Sequence, residues 1–103
     1  MPDYSVLVPK EVQEMVRLFE TLDYDDLKHI TRNWPVDRYR ALEMIVTKSA
    51  EEREKIKRSG EWRELFLDIE DEPGVLQIMA LMYTSDETRN LILEILKEKF
   101  ESP

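Results

Sequence analysis

Lys28, His29, Arg32, Arg38 and Arg40 crowd into one short stretch of an otherwise acidic chain. Arginine forks pair bidentately with guanine edges and lysines neutralise phosphates, so the chemistry on offer is recognition of nucleic acid or of an acidic partner. The residues around these cations fit a helix-turn-helix-like segment at 25–48, inside a run of three helices over 10–48. In that reading Val36-Asp37-Arg38-Tyr39-Arg40-Ala41-Leu42 is the recognition helix. Arg38 and Arg40 lie near its N-terminal end, Val36, Tyr39 and Leu42 hold it to the core, and Lys28, His29 and Arg32 on the preceding helix reach phosphates. Lys28, Arg32, Arg38 and Arg40 are therefore the candidate contacts. The turn carries Asn33-Trp34-Pro35 where this motif usually has a glycine, and a net charge of −8 repels phosphate away from the local patch. A solvated basic face explains the same residues without a ligand.

Carboxylates form the second constellation. Glu61-x-x-Glu64 and Asp68-x-x-Asp71 fall in one expected helical run, with Glu51, Glu52 and Glu54 upstream. At three- or four-residue spacing such acids share a helix face and can hold Mg²⁺ against the phosphates of a nucleotide. The spacing loosely resembles that of the MazG-type all-α nucleotide pyrophosphatases, which use E-x-x-E and E-x-x-D pairs on neighbouring helices. The resemblance covers these spacings alone, and implies a Mg-dependent nucleotide pyrophosphatase-like enzyme. Here the acids mostly alternate with lysine and arginine, and 23 acids in 103 residues produce such spacings by chance. No metal, cofactor or catalytic residue is assigned. His29 is the lone histidine, no serine sits in a G-x-S-x-G elbow, Gly60 and Gly74 are isolated, and cysteine is absent.

A third signal is a surplus of apolar side chains. Met15, Met44, Met79 and Met82, with Leu18, Leu67, Leu81 and Leu93, exceed what one inward face per helix takes up. Leu67, Leu81 and Leu93 form the candidate self-association surface, and a homodimer through the last two helices would bury them together. Scattered surface leucines are the plainer account of two or three of them.

The elements that must position these groups are helical. Two glycines and five prolines leave little material for hairpin turns, and 42% apolar content is that of a folded chain. From Val75 to Tyr83 only Gln77 is polar, so this helix must be enclosed by others. Thr84 or Ser85 then caps an amphipathic helix with Leu91, Ile92, Ile95, Leu96 and Phe100 on one side, Thr84-x-x-Glu87 serving as a capping box. These two helices form a C-terminal hairpin over 73–100, the centre of the fold. Ahead of it come a helix at 10–22 after Pro9, a short one capped by Asp23 or Asp25, and one opening at Pro35. The last either breaks at the Ser49–Glu52 capping box or runs on to Ser59, its charged end projecting into solvent until Gly60 stops it. Trp62, Leu65, Phe66 and Ile69 place a further helix at 61–70, and residues 1–8 make a brief extended lead-in.

The expectation is an all-α single domain over 1–103, a bundle of five or six helices. Charge is blocked along it: residues 1–27 carry a net of −5, 28–58 a net of +4, and 59–103 a net of −7. Without cysteine, a membrane-length apolar run or a basic leader, the chain reads as cytoplasmic. Abundant Glu, Lys and Arg with two Asn and two Gln match the composition of thermophile proteins. The expected function is non-enzymatic, acting through macromolecular contacts with self-association as a homodimer or with another protein. The alternative is a small DNA-binding transcription regulator, and no membrane partner is expected.

Overall fold

The computed structural model describes residues 8–61 and 66–101, and among these every regular element is a helix. There are six: α1 (Lys10–Thr21), α2 (Tyr24–Thr31), α3 (Val36–Thr47), α4 (Ala50–Ser59), α5 (Glu72–Leu81) and α6 (Asp86–Glu101). The all-α bundle expected from the sequence is the fold observed. The lead-in up to residue 7 and the Trp62–Leu65 part of the expected 61–70 helix lie outside the described residues.

Local chemistry sets most boundaries. Pro9 and Pro35 stand at the N-caps of α1 and α3, where a fixed φ suits the first turn and no N–H is wasted. Asp23 accepts the Asp26 N–H at the start of α2. Lys48 leaves the helical region, and a reciprocal capping box between Ser49 and Glu52 starts α4, so the chain breaks at Ser49. Gly60 closes α4 in the left-handed region at φ 75°, a conformation that strains any side chain with a Cβ. At α6 Ser85 takes the capping role and accepts the Thr88 N–H, whereas the Thr84 hydroxyl is buried and donates back to the Leu81 carbonyl. Glu20 of α1 accepts the Ser85 N–H at 2.6 Å, supplying from a distant helix the carboxylate expected of Glu87.

The expected helix at 61–70 does not reach its end. Phe66 to Asp68 make a turn, closed by the Ile69 N–H on the Phe66 carbonyl, and Ile69 and Glu70 carry no regular structure before the Asp71 cap of α5. Phe66 and Ile69, three residues apart, are both buried by that single turn. Charged α4 has no fully buried residue, yet it lies along the body instead of projecting. Ile56 packs on the core, Arg53 donates to the Lys48 carbonyl and to Asp86, and the Lys57 ammonium lies 5.3 Å from the Tyr83 ring centre.

The core is centred where the apolar density is greatest. Ile78, Ala80, Leu81, Met82, Ile92 and Leu96 are fully shielded from water, and each large one contributes about 1.5–3 kcal/mol by burial. The two C-terminal helices make their broadest contacts with other helices: α1 lies on α5, α2 on α6, and α3 against both. α3 is thus wedged between the central pair. Aromatic pairs fix the seams, Phe19 edge-on to Trp34 at 6.1 Å and Tyr39 stacked on Phe100 at 5.9 Å. No helix among the described residues is long and apolar enough to cross a membrane.

Candidate functional site

The wedge position of α3 decides the fate of its arginines. Arg38 is only 5% exposed and is saturated with partners. Its Nη2 donates to Asp71 Oδ1 at 2.6 Å, its Nη1 to Asp37 at 2.8 Å, and its Nε to Gln77 Oε1 at 3.2 Å. Asp71 Oδ1 also accepts the Gly74 N–H at 2.7 Å, so one carboxylate oxygen both caps α5 and anchors the guanidinium. Gly74 makes room for it, because a Cβ there would lie 2.3 Å from Arg38 Cζ. Burial works against the charge of Arg38, but the hydrogen bonds and charges of Asp71 and Asp37 outweigh it and hold its pKa above the ordinary value.

Arg38 is therefore removed from the candidate contacts to nucleic acid or an acidic partner. It joins α3 to α5, and its donors are spent. Arg40, two residues on, is exposed, with Glu43 and the apolar Val36 and Met44 also exposed on its helix.

The Arg38 guanidinium, followed by the Gly74 N–H, holds the Asp71 carboxyl below the usual carboxylate range. The backbone and hydroxyl of Ser49 do the same for Glu52. Both groups bind their proton more weakly when folded, so their contribution is complete above the ordinary carboxylate pKa of about 4 and is lost as pH falls through the lowered values. Melting temperature is expected to drop steeply below about pH 4. The drop should be shallower in Asp71→Asn, and an equally steep one would contradict this account.

Lys28 and Arg32 fare differently. Lys28 on α2 and Arg32 at its C-cap, four residues apart, stand exposed on the rim of a hollow of about 420 Å³ between α2 and α6. Thr31 and Ile95, 1% and 5% exposed, line it as well, and Glu98 and Lys99 of α6 complete the lining. Lys99 Nζ donates to the carbonyls of Arg32 and Trp34 at 2.5 and 2.8 Å, which ties α6 to the end of α2. Tyr24 donates to Glu98 at 3.5 Å on the same seam. Lys28 and Arg32 make no side-chain hydrogen bond or ion pair among the described residues. Sequence reasoning missed Lys99, which stands one turn beyond Ile95 on the amphipathic helix but 67 residues from Arg32.

The three apolar candidates separate as well. Leu81 is wholly buried in the centre of the core and is corrected from the self-association surface, since it has no area left to offer. Leu93 is half-buried against the core. Leu67 is 80% exposed and, with Phe66, Ile69 and Val75, lines a hollow of about 260 Å³. Of the acidic candidates, Glu64 lies outside the described residues and Asp71 is engaged by Arg38. Among the described residues no group of acids or histidine is arranged to hold a metal ion.

Fold and site together define an all-α helical protein with a cation-rimmed groove on one seam and an exposed leucine on the turn before α5. Compared with protein-family models, curated protein sequences and solved structures, the chain matches none of them.

Proposed function

We propose that this is a non-enzymatic helical protein that works through contacts with other macromolecules and pairs with a second copy of itself through the surface around Leu67. One observation carries the reading: a leucine left 80% in water on the wall of a surface hollow that Phe66, Ile69 and Val75 also line. A two-fold arrangement would set the Leu67 wall of one copy's hollow against that of the other and cover both leucines. Sealing such a side chain from water is worth about 1.5–3 kcal/mol per copy. A cytoplasmic setting is proposed with it, on the lack of cysteine.

The second reading, a small DNA-binding regulator, rests on the open cationic ends of Lys28 and Arg32 with exposed Arg40. It is weakened because Arg38, central to the expected recognition helix, is occupied. A Mg-dependent pyrophosphatase finds less support, since Asp71 already has its cation.

Light scattering with and without mixed-sequence duplex DNA addresses both leading readings. The expected result is a two-chain mass at micromolar protein that DNA leaves unchanged. Leu67→Asp should give a one-chain mass while the melting temperature of the dilute protein holds. A one-chain mass for the unaltered protein at every accessible concentration would sink self-association, and a complex that grows with DNA at low salt and dissolves at high salt would transfer the case to the regulator.

A further inference from the structure

The groove between α2 and α6 shares no residue with the Leu67 surface, and it has the makings of a ligand site. We propose that it binds a small organic anion, with a carboxylate or phosphate head held by Lys28 and Arg32 and an apolar body laid along the methylene stems of the lining cations beside Ile95.

Four observations converge on this. The hollow, about 420 Å³, is in the size range of small-molecule sites. Ile95 and Thr31 line it at only 5% and 1% exposure, so the apolar area a ligand can touch lies mainly on the methylene stems of Lys28, Arg32 and Lys99, and the Thr31 hydroxyl is already spent on the Leu27 carbonyl at 2.9 Å. Three of its lining residues are cations and one is an acid, a local excess of positive charge in a chain of net charge −8. Lastly, Lys28 and Arg32 lack intramolecular partners among the described residues, whereas Lys99 is committed to backbone carbonyls and Arg38 to carboxylates. Unspent charge-assisted donors beside apolar stems recognise a head that accepts several hydrogen bonds and a body that prefers to leave water.

Size decides between a small anion and a polyanion. Charges further apart than about 8 Å are largely screened at physiological salt, so a molecule held within the groove senses mainly its cationic rim. A nucleic acid duplex extends well beyond that distance and meets the acidic remainder of the surface. The same geometry therefore favours the small ligand over DNA.

The test is an amide-resolved NMR titration of the full chain with octanoate and phenyl phosphate. Octanol, inorganic phosphate and a short DNA duplex serve as comparisons. Saturable shifts centred on Lys28, Thr31, Arg32, Ile95 and Lys99, with a Kd at or below about 1 mM for at least one organic anion, are expected. The tighter of the two identifies the head group. Lys28→Gln with Arg32→Gln should raise that Kd at least about tenfold, since two charge-assisted contacts are lost, while Arg40→Gln should leave it unchanged. Both altered residues are exposed, so the melting temperature should hold and a loss of binding can be read as a loss of the site. Equal binding of octanol, equal binding of inorganic phosphate, shifts centred elsewhere, or an unaffected Kd in the double variant would each overturn the proposal. Tighter binding of the duplex at physiological salt would do the same.

Discussion

Truncating Arg38 to alanine is expected to lower the unfolding free energy by about 2–3 kcal/mol, against about 0.5 kcal/mol or less for Arg40→Ala two residues away. The difference follows from what each guanidinium touches. Arg38 fills the space over Gly74 and joins Asp37, Asp71 and Gln77, so its removal opens a void between α3 and α5 and leaves Gln77 without its donor. The figure is kept below that for a fully buried ion pair, because the Asp71 side chain is 48% exposed and water can re-solvate it. Denaturant unfolding of Arg38→Ala, Asp71→Asn and the double variant should show strongly non-additive losses. Equal costs for Arg38→Ala and Arg40→Ala would refute the tie between α3 and α5.

Leu81→Ala should cost about 3 kcal/mol or more, and the loss should be the same at low and high protein concentration. Leu81 is 0% exposed and is surrounded by other fully buried side chains, so alanine leaves a cavity that the neighbouring helices close only in part. A residue acting at an interface would instead show a cost that grows with concentration, as mass action requires. Urea midpoints at two protein concentrations separate the cases. In a domain whose whole stability is of the order of 5–15 kcal/mol, this loss should be plain in the melting temperature.

Helix starts and stops were legible from local chemistry. Asp23, Pro35, the Ser49–Glu52 pair and Gly60 act through backbone groups within a few residues, so their neighbours in sequence suffice to read them. The central place of α5 was legible because a segment apolar on every side has to be enclosed, but the expected hairpin packing of α5 on α6 is not seen, since α3 packs against both. By the same argument Leu81, inside that segment, had no exposed face to lend to a dimer. The residue type of Arg38 points to solvent, but its spacing points inward. It stands one turn before Leu42 and two before Ile45, on the buried stripe of α3. What made an arginine acceptable there was Asp71, 33 residues away in sequence, and no local pattern reveals such a partner. The groove was half legible for that reason too: the C-terminal end of α2 and its cap advertise Lys28 and Arg32, but the opposite wall belongs to α6.

The end of α6 reaches back to the first half of the molecule. Tyr24 meets Glu98, Tyr39 meets Glu101, and Lys99 holds the carbonyls of Arg32 and Trp34, contacts that join residues 62 to 74 positions apart. On the ribosome, α2 and α3 therefore emerge long before the surfaces that shelter them exist. Helices of 8 and 12 residues are marginal on their own, so this part of the chain gains its stability only once α6 can pack on it.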